Sequence, residues 1–390
     1  MNRILPRGVA VAAAVLSASV LVACGSSDSG DGSTAASAKD GTRLEFELVD
    51  DGCTPADATA PAGPVTIAAV NNGTAKTDEI ELKSADGIIM GERENLAPGL
   101  SSDFTLTLQP GRYKILCTFQ NQERDGGTLT VTGRAVATHG ATPAELEDAV
   151  EEYKEYVERE SEQLVTQTTA FVSALKAGDV QRAKDLFGPT RMHYETIEPI
   201  AESFGDLDPR IDARVNDVAD KADWSGFHRI EQILWQQRTT KGTGAYADQL
   251  LADVKRLHAR IPGLDLQAAQ IANGAVALLD EVSASKITGE EDRYSHTDLA
   301  DFQGNLTGSK EAFETLEPAL VAAGQEPLIE RVNAQFTKVQ ADLDRYRRDT
   351  PLGFALYSEL TPQDRRAFAQ QLAALTEPLS QVAGKLTSQS

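Results

Sequence analysis

Between Thr42 and Val131 apolar residues return at every second position. Leu44, Phe46 and Leu48 alternate with Glu45 and Glu47, and the same period carries Val65 and Ile67, then Phe104, Leu106 and Leu108, then Tyr113, Ile115 and Cys117. Such alternation marks strands that lay one face on a core. Turn-forming residues separate them at Pro61 to Pro64, Asn71 to Gly73, Pro98-Gly99, Pro110-Gly111 and Gly126-Gly127, a spacing that predicts a Greek-key β-sandwich over 41–133. After a linker over 134–141 the period changes to 3.6 and holds to the C-terminus. Helices are predicted over about 143–177, 180–203 with a kink at Gly188-Pro189, 225–238, 245–260, 267–287, 297–322, 326–348 and 362–387. Thr142-Pro143-Ala144-Glu145 and Thr361-Pro362-Gln363-Asp364 carry helix-start signals: a capping threonine, a proline in the first turn and an acidic residue three positions on. Eight helices on short connections predict an all-α domain of paired helical bundles over 142–388. The chain is expected to be multidomain, with the sandwich first and the bundles second.

Residues 1–23 follow neither period. Arg3 and Arg7 precede a stretch of apolar and small residues from Val9 to Val22, the layout of a secretory signal peptide. The site Leu21-Val22-Ala23-Cys24 resembles the bacterial lipobox, which makes Cys24 the lipidation site and the mature N-terminus. Segment 24–40, rich in Gly, Ser and Asp, reads as a lipid-anchored disordered tether. Acyl chains contribute about 0.8 kcal/mol per buried methylene, enough together to hold the body at the cell membrane, facing the extracytoplasmic side. No later apolar run reaches the roughly 18 residues that a membrane helix needs.

The charge changes the list of partners. Acidic residues number 59 and basic residues 37, for a net charge of −22, and loss of Arg3 and Arg7 with the signal peptide takes this to −24. Such a field repels phosphate backbones and attracts cations, so nucleic acid is excluded as a partner. With Cys24 assigned to the anchor, Cys53 and Cys117 remain, both inside the β domain. Two readings of them stay open. One is a disulfide, expected outside the cytoplasm, which would close a loop of about 65 residues and stabilise the domain by about 4 kcal/mol. The other is a metal site in which the thiolates join carboxylates of Glu79, Glu81, Glu92 or Glu94, expected on loops. Type-one copper is excluded, because it needs two histidines and none precedes His139.

In the helical domain, His228 and Glu231 stand three apart and share a helix face, so a ring nitrogen and a carboxylate oxygen can reach one ion. Glu195, Glu198 and Glu202 form a ladder on an earlier helix, followed by Asp206, Asp208 and Asp212, and a second acidic stretch runs from Lys286 through Glu290 and Glu291 to His296 and Asp298. Carboxylates from these segments could complete an oxygen-rich shell around His228. His296 and Asp298 are read as helix-start residues, and His139, His193 and His258 as structural or exposed. Neither His-Glu-x-x-His nor His-x-x-Glu-His occurs, which disfavours a zinc protease.

Gly226-Phe227-His228-Arg229-Ile230-Glu231, with Glu198-Pro199-Ile200-Ala201-Glu202-Ser203-Phe204-Gly205-Asp206 and the stretch from Lys286 to Asp298, resembles the imelysin-like domain of the EfeO family, the extracytoplasmic components of EfeUOB-type iron-uptake systems. Cys53, Glu92-Arg93-Glu94-Asn95 with Pro98-Gly99, and Pro110 to Cys117 are similar to the cupredoxin-like domain that precedes it in that family. The resemblance implies a lipoprotein that captures ferrous or ferric iron, with copper(II) or zinc as stand-ins in vitro. It implies delivery to a membrane iron permease beside a haem-dependent peroxidase of the same system. For the site it implies metal at His228 and Glu231, with Glu195, Asp208 and Glu290 as further ligands, and a second metal site at Cys53, Cys117 and Glu79. A monomer or weak dimer is expected. The imelysin name carries a peptidase label, yet no hydrolytic motif stands out and no enzyme activity is expected. The alternatives are an imelysin-type metallopeptidase and a carbohydrate-binding lipoprotein.

Overall fold

The structure, a computed structural model, describes residues 41–85, 87, 89–94, 96–119, 122–134, 144–218 and 220–387. The expected signal peptide, Cys24 and its tether, and the linker from residue 135 on with His139, lie outside the described residues.

Among the described residues the N-terminal domain has nine strands: β1 (Thr42–Val49), β2 (Gly52–Thr54), β3 (Ala58–Pro61), β4 (Gly63–Val70), β5 (Glu79–Lys83), β6 (Ile89–Arg93), β7 (Ser101–Leu108), β8 (Gly111–Phe119) and β9 (Gln122–Thr132). One sheet has the order β2-β1-β4-β7 and the other β3-β9-β8-β5-β6. β1 lies parallel to β4 and β3 parallel to β9, and the other pairs are antiparallel. The alternating runs are β1, β4, β7 and β8, and their inward residues, among them Phe46, Leu48, Val65, Ile67, Phe104, Leu106 and Ile115, form the core. Cys53 on β2 and Cys117 on β8 are joined in a disulfide, which ties the edge strand of one sheet to an inner strand of the other. The hydroxyl of Tyr113 donates to Gln109 O at 3.0 Å and accepts from Gln109 N at 3.1 Å, fixing the turn into β8.

Glu79, Glu81 and Glu92 lie on β5 and β6, and the expectation that they sit on loops is corrected. The pleat explains the placement: Ile80 and Leu82 enter the core, so Glu79 and Glu81 take the other face, and Glu81 stands opposite Glu92 in register.

The helical domain contains α1 (Ala144–Ala177), α2 (Val180–Ile197), α3 (Asp208–Asp212), α4 (Gly226–Gln232), α5 (Gly244–Arg260), α6 (Ala268–Ala284), α7 (Asp298–Glu314), α8 (Glu317–Ala322), α9 (Glu326–Asp344), α10 (Pro362–Leu379) and α11 (Gln381–Thr387). α1 is roughly 51 Å long at 1.5 Å per residue. It packs on α2 and α5, α2 packs on α7, α6 on α7 and α10, and α9 on α10. The rings of Phe171, Phe187, Phe227 and Trp235 pack against one another in the first group, mostly tilted or edge to face. The helical periodicity located these elements except α3, and prolines shift several boundaries. α2 runs through Pro189 and ends before Pro199, where residues 198–207 tighten into a 3-10 segment. The stretch expected as one helix over 297–322 divides into α7 and α8, with a proline in the first turn of α8. After α4 the chain widens into a π turn, Ile233–Gln237, stopped by Arg238 in the left-handed region with φ 54°.

The two domains meet along β6 and β7, which face α6, α11 and the 198–207 segment. Asn273 Nδ2 donates to Thr105 O across this boundary at 2.9 Å. No helix among the described residues is long and apolar enough to cross a membrane.

Candidate metal site

Gly226 opens α4 with φ 79°, and a Cβ there would lie 2.2 Å from Ile211 O. Only glycine lets α4 start this close to the end of α3, and the contact brings His228 beside Asp212. His228 is 1% exposed. Its Nδ1 lies 3.2 Å from Glu231 Oε2, as the spacing of three predicts. Glu231 Oε1 accepts the backbone N–H groups of Tyr294 and Ser295 at 2.8 and 2.7 Å, so Glu231 is held at both ends and in turn orients the ring.

The other ring nitrogen, Nε2, makes no hydrogen bond, although it is flanked by Glu291 Oε1 at 3.3 Å and Asp212 Oδ1 at 3.6 Å. Asp292 Oδ1, 3.8 Å from Nδ1, is likewise without a hydrogen bond. A buried imidazole nitrogen facing two carboxylate oxygens is a nitrogen-and-oxygen donor set of the kind that suits iron and other divalent or trivalent cations. Three segments supply it: α3, α4 and the turn after Gly289.

The electrostatics follow from burying many acids together. Burial and the neighbouring Arg191 push His228 down, but Glu231, Glu291 and Asp212 outweigh them and hold it at about 10. Burial raises Asp212 to about 7 and Asp292 to about 6. Burial also acts to raise Glu291, yet Lys286 and Arg214 overcome it and keep that carboxyl well below the ordinary range.

Of the residues expected to complete the His228 shell, Glu195 is buried but engaged elsewhere. It bonds Arg191, Lys286 Nζ at 3.2 Å and Asn305 Nδ2 at 2.9 Å. Asp208 accepts from the Tyr194 hydroxyl, and burial raises it to about 6. Glu290 is exposed and pairs with Arg293; its neighbour Glu291 reaches His228 instead. The structure does not bring these three to the His228 ring; Asp212 and Glu291 lie beside its Nε2 and Asp292 beside its Nδ1. The ladder of Glu195, Glu198 and Glu202 is not a solvated face: Lys286 Nζ lies 2.7 Å from Glu198 Oε1, and Glu202 lines a cavity. His193 and His258 bond Glu160 and Ser161, as structural residues do. His296 has φ 60° and its carbonyl accepts from Tyr357 N.

The second expected site does not assemble as drawn. The disulfide takes both cysteines, and in β8 the side chains of Cys117 and Thr118 point to opposite faces. Glu79 sits on the Thr118 side, where the Thr118 hydroxyl donates to it, and it groups there with Glu81 and Glu92. Burial pushes Glu92 well above the ordinary range, and Glu202 of the helical domain adds to the effect.

A cavity of about 220 Å3 connects these regions. Glu92 and Glu94 line it from the β domain, and Glu202, Asp208, Asp212 and Glu291 from the helical domain, with Arg214 and Lys286 between them. Sequence reasoning passed over Arg191, fully buried on α2 amid carboxylates. The signal that could have found this region is Gly304-x-x-x-Gly308 on α7: a Cβ at Gly308 would lie 2.0 Å from Thr196 O, and the close approach presses Asp301 and Asn305 onto α2.

Comparison with known proteins agrees with the two-domain reading. The family model for imelysin matches residues 149–382 and that for a cupredoxin-like domain residues 13–131. The chain is 44% identical over 356 residues to the iron uptake system component EfeO of Escherichia coli (strain K12), covering 90% of this chain and 93% of that protein. EfeO of Shigella flexneri matches with the same identity and coverage.

Proposed function

The chain belongs to the EfeO family, with a cupredoxin-like domain ahead of an imelysin domain, and on that premise we propose that it is the extracytoplasmic iron-binding component of an iron uptake system. The observation that carries the reading is the buried Nε2 of His228, which makes no hydrogen bond and faces Asp212 Oδ1 and Glu291 Oε1. Iron binds at these three atoms, while Glu231 orients the ring from behind. Asp292 Oδ1 lies on the other side of the ring, 3.8 Å from Nδ1. The carboxylate-lined cavity, with Glu92 and Glu94 on one side and Asp212 and Glu291 among its helical-domain lining, supplies a route for the cation. From there iron passes to a membrane permease, with a haem-dependent peroxidase as a further partner. A lipid on Cys24 keeps the body beside them. Glu231 is fully occupied by two backbone N–H groups and His228, so it is placed to orient and not to act as the general base of a hydrolase.

Calorimetric titration of the wild type and of His228→Ala with ferrous iron under anaerobic conditions, and with ferric iron, tests this. The wild type binds one ion at His228 and His228→Ala does not. Absence of binding by the wild type, or undiminished binding by His228→Ala, overturns it.

A further inference from the structure

Arg191 has no exposed surface, and its guanidinium lies among Glu195, Asp212, Glu291, Asp292 and Asp301. Two of these contacts fall on the atoms that face His228 Nε2. Arg191 Nη1 bonds Asp212 Oδ1, and Arg191 Nη2 lies 2.9 Å from Glu291 Oε1. A metal ion and a guanidinium draw on the same oxygen lone pairs, and each weakens the hold of the other. The guanidinium is also held by acids that do not face His228 Nε2, so it keeps partners when a cation takes those two oxygens: Nη2 bonds Glu195, and Nε faces Asp292 Oδ1 and Asp301 Oδ2, each at 3.4 Å. Glu291 is divided in the same way, because its second oxygen, Oε2, stays 3.2 Å from Arg214 Nη1.

Resting on the assignment of His228, Asp212 and Glu291 as the iron ligands, we propose that Arg191 is an internal competitor for the cation, contending with it for Asp212 Oδ1 and Glu291 Oε1 and so setting the affinity low enough for release. The guanidinium-held arrangement lowers the observed affinity by the fraction of molecules in which both oxygens are free. A planar fork suits this task, since one arginine spans two carboxylates that a point-like ammonium does not hold in the same geometry. An uptake protein has to give its ion up, and a competitor built into the wall speeds that step without removing a ligand.

The test uses the full chain with zinc, which does not change oxidation state, and anaerobic ferrous iron. Binding is measured by titration and release by transfer to an excess of chelator. Arg191→Lys keeps the charge and loses the fork. It is expected to bind zinc about tenfold more tightly and to release it more slowly in proportion, a coupling at the low end of those found for close charge pairs. Arg191→Gln, which also loses the charge, shows a larger effect. In both variants saturating zinc raises the thermal midpoint by more than it does in the wild type, a readout that holds even where the metal-free variant is only marginally folded. A role in charge balance alone leaves Arg191→Lys with wild-type affinity and release. That result, with His228→Ala still abolishing binding, overturns the competitor and leaves the site standing. Undiminished binding by His228→Ala instead removes the site, and the competitor with it.

Discussion

His228 offers two nitrogens, and the surrounding chain uses them differently. Glu231 fixes the Nδ1 side through its own two backbone bonds, while Nε2 is left to Asp212 and Glu291. Residues that orient a ligand of this kind matter nearly as much as the ligand itself. Glu231→Gln should therefore weaken cation binding about 10- to 100-fold. Glu290→Gln, on an exposed side chain paired with Arg293, should leave it unchanged in the same titration. A loss at Glu290 equal to that at Glu231 would show that the sites have been confused. The His228–Glu231 pair was legible because a helix places residues three apart on one face. Glu291 was not, because residues 289–297 are turns without a period, and nothing in the sequence distinguishes Glu290 from the buried residue beside it. Arg191 was illegible for a related reason: an arginine on a helix reads as a surface residue until the acids from α3, α7 and the 289–297 turn are folded around it.

At the scale of elements, the approach of α7 to α2 decides whether Arg191 and Glu195 are enclosed. Gly304 and Gly308 make that approach possible; a Cβ at Gly304 would lie 2.6 Å from Glu195 Cβ, and one at Gly308 2.0 Å from Thr196 O. Because backbone stands in the way at Gly308, Gly308→Ala has to push the helices apart, at a cost of about 1–3 kcal/mol. A lowered thermal midpoint together with weakened cation binding is the expected result, and an unchanged midpoint would mean that the helices are not held this closely. Most of the fold at this scale could be read from the two hydrophobic periods. β2, β3 and β9 lie outside the alternating runs, and β5 and β6 escaped because their outward positions carry Glu79, Glu81 and Glu92, charges that suggest a loop. β5 and β6 are strands because Ile80 and Leu82 alternate with those charges and the helical domain covers the acidic face.

The molecule as a whole carries −22, and among the described residues nine of its 59 acidic side chains are buried. Burial raises Asp208 and Asp292 to about 6 and Asp212 and Glu202 to about 7. Each holds its proton more tightly folded than unfolded, so the stability it contributes is present below about pH 4 and is lost as the pH rises toward 7. His228, held at about 10, acts in the same direction higher up, contributing below its unfolded value near 6.5 and losing that contribution toward 10. Glu195 and Glu291, held low mainly by Lys286, contribute above the ordinary carboxylate range and lose it only in stronger acid. Without metal the thermal midpoint should therefore fall between pH 5.5 and 7.5, and bound cation should restore it. Scanning calorimetry with chelator present at both pH values checks this, and a midpoint that rises over the interval contradicts it. The disulfide has a consequence of another kind. It fastens β2, whose outer edge has no neighbouring strand in its sheet, to β8 of the opposite sheet. Held there, β2 keeps the edge of β1 paired; an edge left open recruits strands from other molecules, so oxidation opposes self-association through β1. A chain retained in a reducing compartment would lack that protection and would be prone to aggregate before it reached the place where it works.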